Sequence, residues 1–289
     1  LGPAVPHEPR DRHDAISGRD AHAATIGAAP VTLGAVATRR IMATSGGLLP
    51  TERWTGPMVG RTIRRMLELA RRDRPRVCVI NTASGDDPAG YVRAYGALGA
   101  LGCDVTHLQL FVQPNAPVRE HVLAADVVWV GGGSVANLLA VWRLHGLDAV
   151  LREAYHEGVV LGGVSAGSIC WHLGGPTDSY GPELRAVTDG LGLLPYGNGV
   201  HYDGEPRRRP MVHQLVRDGV FDVVYATDDR VGILYEDEVP VEVVADVAPG
   251  GPAAGAAGAT PRAPAAWRVE RVGGEVRETR LDPGPIRGA

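Results

Sequence analysis

No lysine occurs anywhere in these 289 residues, and all 29 basic side chains are arginine. That absence excludes Schiff-base chemistry, a P-loop and a Ser-Lys dyad, each of which needs a lysine amine. Cysteine is scarce as well. Cys78, Cys103 and Cys170 form no C-x-x-C pair, so they are read as reduced, buried thiols rather than a disulfide framework. No apolar run approaches the roughly 20 residues that a membrane helix needs, and the first residues lack a basic segment followed by an apolar one. The expectation is a soluble cytoplasmic protein with no membrane partner. A formal charge of -4 and a pI near 6.2 leave no basic footprint, so nucleic acid is not an expected partner either. The ten histidines contain no H-E-x-x-H and the full dinucleotide fingerprint is missing. Neither a metal nor a cofactor is expected.

What is present suffices for a core, because 44% of the residues are hydrophobic. Residues 1–37 are rich in Ala, Gly, Pro, His and Arg without periodicity and are expected to be a disordered extension. A single domain is expected over 38–289. Within it "APGGPAAGAAGATPRAPAA" at 248–266 reads as a flexible loop joining two strands.

Short β-branched runs alternate with longer amphipathic stretches. The strands expected are "RRIMAT" (39–44), "RVCVINT" (76–82), "VTHLQLF" (105–111), "DVVWVG" (126–131) and "VVLGG" (159–163). Between them, Val59, Ile63, Met66, Leu67 and Ala70, or Leu147, Val150, Leu151 and Ala154, keep helical spacing. Strand-helix-strand repetition implies an α/β fold with a mostly parallel sheet covered on both faces. After residue 220 the segments "DVVYATDD", "VGILYED", "VPVEVVAD", "WRVERV" and "EVRETRL" are close enough to be hairpin-connected, and are expected as antiparallel strands at one edge.

Gly163-Val164-Ser165-Ala166-Gly167 matches G-x-S-x-G where a strand ends and a helix can begin. Small neighbours let a serine stand clear of so sharp a reversal, and the first helical turn supplies free N–H groups that suit an oxyanion. The alternative is a tight strand-to-helix turn with a serine cap. A second cluster, Gly131, Gly132 and Gly133, follows "DVVWV" and offers N–H groups to the same oxyanion as Ala166. His201, in the Gly/Asn-rich "YGNGVHYDGE", is the best-placed base; His7, His13 and His22 fall in the tail, and His172 lies about two helical turns beyond Ser165. Asp178 in "GGPTDSYG" and Asp228 or Asp229 in "YATDDRVG" are the candidates to orient the histidine.

Taken in order, "IMATSGG", "VVWVGGGS", "GGVSAGS" and "NGVHYD" resemble the peptidase E family of serine peptidases over roughly residues 39–246. The resemblance implies a flavodoxin-like sheet similar to that of class I glutamine amidotransferases, and hydrolysis of dipeptides with an N-terminal aspartate. It further implies Ser165 as nucleophile, His201 as base, and the N–H groups of Gly133 and Ala166 as oxyanion hole. Asp229 is the first choice for the acid, with Asp178 and Asp228 as alternatives. Arginine is the family's partner for the substrate carboxylate, so Arg207, Arg208 or Arg209 in "EPRRRP" is the expected contact. Ser134 stands where the family often has asparagine. Rival readings are a related hydrolase of cyanophycin or an ester, and a non-catalytic small-molecule binding module.

Overall fold

Alternating side chains along the first strands sort to opposite faces and bury both. The computed structural model of the chain describes residues 37–49, 58–246 and 263–287. Its first half contains β1 (Arg40–Thr44), β2 (Leu48–Leu49), β3 (Met58–Val59), β4 (Arg76–Ile80), β5 (Asp104–Leu108), β6 (Val127–Val130) and β7 (Val160–Val164). Interleaved helices are α1 (Arg61–Leu69), α2 (Pro88–Gly99), α3 (Val118–Leu123), α4 (Val135–His145) and α5 (Leu147–His156). Ile41, Ala43, Cys78, Ile80, Val128 and Val130 point to the side where Leu138, Trp142 and Leu151 of α4 and α5 pack. Met42, Val77, Val79 and Trp129 point the other way, onto Ile63 and Met66 of α1 and Ala94 and Leu98 of α2. A period of two with both faces apolar is the pattern of a sheet sandwiched between helices.

The second half adds α6 (Ala166–Ile169), β8 (Gly175–Thr177), β9 (Arg185–Val187), β10 (Gly197–Gly199) and α7 (Arg208–Arg217). Six strands complete the described chain: β11 (Val223–Thr227), β12 (Val231–Glu236), β13 (Val239–Ala245), β14 (Ala266–Val272), β15 (Glu275–Leu281) and β16 (Gly284–Pro285). The central sheet runs β16-β13-β12-β1-β7-β6-β4-β5. From β1 to β5 the pairings are parallel, while β12, β13 and β16 add antiparallel pairs beyond β1. The fold is therefore α/β with a mostly parallel sheet and helices on both faces.

The C-terminal strands do not all join one edge. β11, β14 and β15 leave the main sheet and, with β10, form a second four-stranded sheet under α7. The expected hairpin between "DVVYATDD" and "VGILYED" is replaced by a three-residue link, Asp228–Arg230, in which Arg230 takes a left-handed φ of 66°. That reversal sends β11 and β12 into different sheets and sets Asp229 on the ridge between them. Residues 1–36 of the expected extension and 248–262 of the expected flexible loop lie outside the described residues. Cys78, Cys103 and Cys170 are buried and free, and burial pushes the Cys78 thiol up to about 12. Among the described residues, no helix is long and apolar enough to cross a membrane.

Candidate active site

Both glycines of G-x-S-x-G are dictated by crowding at the end of β7. A Cβ on Gly163 would sit 2.5 Å from the Gly167 carbonyl oxygen and 2.7 Å from that of Val130; one on Gly167 would sit 2.4 Å from the Val130 oxygen. Backbone presses on backbone there, so no methyl fits. Ser165 itself adopts φ 57° and ψ -114°, a conformation that L residues rarely hold and that costs on the order of 1–3 kcal/mol. Its side chain makes no capping bond to α6, which argues against the serine-cap alternative. Instead its N–H donates to Thr44 O at 3.0 Å, tying the turn to the end of β1.

His201 follows β10 and is also left-handed, with φ 52°. Its Nδ1 lies 2.6 Å from Asp229 Oδ1, which leaves Nε2 as the ring nitrogen facing away from the carboxylate. Asp229 is held in turn: its N–H donates to Asp203 Oδ1 at 2.7 Å. A Cβ on Gly204 would meet Asp229 Oδ2 at 2.3 Å, so the glycine makes room for the carboxylate. Of the three candidate acids, Asp229 alone touches His201 among the described residues. Asp228 is buried and accepts from Ala265 N–H (2.9 Å) and Trp267 Nε1–H (2.8 Å); burial raises its pKa and those two donors oppose the rise. Asp178 is exposed and sits 3.9 Å from Arg208. His172 is fully buried, with Nδ1 2.9 Å from Ser168 O, and desolvation lowers its pKa to about 4.

The glycine loop after β6 reaches the same place. A Cβ on Gly132 would lie 3.2 Å from Ser165 Cβ and 3.8 Å from its Oγ. Gly131 N–H is used by Ile80 O (2.9 Å) and Ser134 N–H by Ala83 O (2.8 Å). The donors between them, at Gly132 and Gly133, carry no backbone bond among the described residues. Ser134 caps α4 by accepting from Asn137 N–H, so the serine after the third glycine has a structural use. The N–H of Ala166 opens α6 and points out of its first turn, as helix-initial donors do.

A cavity of about 410 Å³ adjoins this arrangement, at the carboxyl ends of the parallel strands where α/β sheets bind ligands. Its wall includes Ser45, Trp129, Gly132, Asp229 and two arginines, Arg93 and Arg230. The arginines of "EPRRRP" lie outside that wall. Arg208 is buried against Glu205 Oε2 (2.6 Å) and Pro176 O (2.6 Å). Arg209 pairs with Glu278 and lies 4.4 and 4.3 Å from the ring centroids of Tyr202 and Trp267. Arg207 donates to Pro182 O at 2.7 Å. None of the three lines the cavity: ion pairing and stacking occupy the guanidinium groups of Arg208 and Arg209, while Arg207 stays exposed outside the cavity wall.

Two contributors carried no readable signal. Ser168 Oγ donates to Asn198 Oδ1 at 2.9 Å and Asn198 Nδ2 to Tyr225 O at 3.1 Å, so a buried polar chain joins α6 to β10 and β11. Ser45, inside the quoted "IMATSGG", accepts from His201 N–H at 3.0 Å. A Gly-rich stretch after a strand marks a ligand loop, but not which hydroxyl in it does anything.

Residues 41–242 match the model of peptidase family S51. A Bacillus subtilis protein described as an uncharacterized peptidase, YgaJ, is 41% identical over 180 residues, spanning 62% of this chain and 77% of that protein. Peptidase E of Streptomyces coelicolor is 31% identical over 142 residues, 45% of this chain and 53% of the relative. Among solved structures, a peptidase from an acI-B1 Actinobacterium superposes with a TM-score of 0.59 at 16% identity, covering 86% of this chain and 96% of its own. The chain belongs to peptidase family S51. By family it is a peptidase of the peptidase E kind.

Proposed function

We propose that the chain is a serine peptidase that hydrolyses small peptides, with dipeptides bearing an N-terminal aspartate as preferred substrates. One observation carries the reading: the His201 of the 2.6 Å His201–Asp229 contact is held by the Ser45 hydroxyl, next in the chain to Thr44, whose carbonyl anchors the strained Ser165. His201 Nε2 takes the Ser165 hydroxyl proton as Oγ attacks the scissile carbonyl. The carbonyl oxygen becomes an oxyanion between the Gly133 and Ala166 N–H groups. Collapse passes the proton to the departing amine, and water activated by His201 then releases the acyl group. Asp229 keeps the Nδ1 proton in place and stabilises the imidazolium.

Aspartate preference is supported by the charges around the cavity. Asp229 is committed to His201, and Asp87 caps α2 through Ala89 and Gly90 N–H while lying 3.8 Å from Arg93. Arg230 pairs with no carboxylate within ion-pair distance among the described residues, which makes it the first candidate for the substrate's carboxylate. The test is hydrolysis of Asp-Leu, Glu-Leu, Leu-Leu, cyanophycin and an aryl ester. Asp-Leu should be cleaved best. Arg230→Asn, chosen because asparagine tolerates the left-handed φ, should lower kcat/KM for Asp-Leu by about 10- to 100-fold and leave Leu-Leu nearly unchanged. Equal losses on both substrates, or cleavage of the ester alone, would sink the specificity.

The acid is tested separately. Asp229→Asn should reduce kcat by about 10²- to 10⁴-fold with an unchanged melting temperature. Asp228→Asn replaces one of two accepting oxygens with an NH₂ group, so it should cost about 1–3 kcal/mol of stability and spare most of kcat. Paired kinetics and thermal melts on both variants check this; the reverse pattern transfers the role to Asp228.

A further inference from the structure

Thr44 and Ser45, at the end of β1, connect Ser165, His201 and the link that carries Asp229. Thr44 O accepts from Ser165 N–H at 3.0 Å. The Ser45 hydroxyl accepts from His201 N–H at 3.0 Å and can donate to Thr227 O at 3.1 Å or share a proton with Thr227 Oγ1 at 2.7 Å. Ser45 O accepts from Arg230 N–H at 3.1 Å and Ser45 N–H donates to Val231 O at 2.8 Å. One residue thus holds the histidine's backbone and both ends of the link that carries Asp229. Ser45 is 6% exposed, and it borders the cavity wall.

His201 needs such a hold. A histidine at φ 52° is off the broad minima of an L residue, and a bond to its N–H is what fixes the peptide plane leading into that conformation. Tyr202 N–H donates to Thr227 O at 3.1 Å, so the plane on the other side of His201 is fastened to the same corner. The imidazole is then aimed by geometry on both flanks as well as by Asp229. Building on the reading of Ser165 as nucleophile, we propose that Ser45 is a positioning residue: its hydroxyl sets the His201 backbone so that the imidazole reaches Ser165 and Asp229 together. It does not touch the reacting atoms. A displacement of His201 by even about 1 Å acts on the proton transfer rather than on substrate affinity, so the loss falls on kcat.

The test compares Ser45→Thr with Ser45→Val, which have nearly equal volume and differ in the hydroxyl, beside Ser45→Ala and Ser165→Ala. Two rates are read on the full chain: labelling of Ser165 by a fluorophosphonate, and turnover of Asp-Leu. The Val and Ala variants should lose on the order of 10- to 100-fold in both labelling rate and kcat, with KM within about twofold of wild type. The Thr variant should retain both within about threefold. Thr227→Val leaves Thr227 O for the Ser45 proton and should behave like wild type. If Ala and Val label at the wild-type rate, or if Thr falls as far as Val, the positioning role is overturned. A wild type that takes no label at all, like Ser165→Ala, instead removes the nucleophile reading, and the proposal with it. Should Ser45→Ala fail to fold, the Thr and Val pair decides the matter at constant volume.

Discussion

Ser165→Ala is expected to give a folded protein whose kcat is lower by at least about 10³-fold, and Ser165→Gly one that is equally inactive yet more stable. The two outcomes separate chemistry from folding. Ser165 sits at φ 57° and ψ -114° because the strand-to-helix reversal forces it there, with Gly163 and Gly167 already pressed against the Val130 carbonyl. A serine used only as a turn residue has no reason to bear that strain, since glycine would bear it at less cost. Removing Cβ relieves about 1–3 kcal/mol of strain and gives back about 0.5–1 kcal/mol through the freer unfolded chain. The net is a gain of up to about 2 kcal/mol, read as a higher denaturant midpoint. Activity retained in either variant ends the nucleophile reading; a Gly variant that is less stable than wild type shows instead that the serine side chain contributes bonds of its own.

Much of this was legible because periodicity and spacing are local. The five parallel strands fall within two residues of their β-branched runs at every end but one; the widest overruns are those of "RVCVINT", two residues past Ile80, and "VTHLQLF", three past Leu108. There the extra residues turn into the loops at the carboxyl edge: Asn81 begins a 3₁₀ turn, and Leu110 and Phe111 N–H donate to the buried Asp86. The elbow, the glycine loop and His201 were equally visible, each being a short motif after a strand. What stayed hidden depends on where chain segments meet. Asp228 and Asp229 are adjacent letters, but alternation across the end of β11 buries one against Trp267 and leaves the other facing His201. The three arginines looked alike because a run of charge reads as surface, and Arg207 is indeed exposed, whereas Arg208 opens α7 packed against Glu205 and Pro176 of β8. The split of the last strands into two sheets follows from one left-handed residue, Arg230, and a non-glycine there gives no warning. Ser45 is legible only once His201, 156 positions away, has been brought to it.

Gly133→Ala should be the most damaging substitution in the glycine loop, with kcat down by about 10²- to 10³-fold and stability down by roughly 1–3 kcal/mol. Gly133 holds φ 137°, and a Cβ there would lie 2.2 Å from Ala83 O, 2.6 Å from Ala83 C and 3.0 Å from Ser84 N. Every one of those atoms is backbone, so no rotamer change makes room. Relief requires the loop to move, and moving it breaks the Ser134 N–H to Ala83 O bond that seats α4 and shifts the Gly133 N–H from its proposed place at the oxyanion. Two neighbours calibrate the effect. Gly85→Ala meets nothing within 4 Å and bears only the left-handed penalty of φ 71°, so it should cost about 1 kcal/mol of stability and nothing in kcat. Gly132→Ala sets its methyl 3.2 Å from Ser165 Cβ without touching backbone at less than 3.4 Å, so it should reduce kcat by crowding Ser165, the proposed nucleophile, while sparing most of the stability. Kinetics and denaturant unfolding on the three variants read these separately. A Gly133→Ala protein that loses stability and keeps kcat would hand the oxyanion to the Gly132 N–H, because the loop would have moved without the reaction noticing.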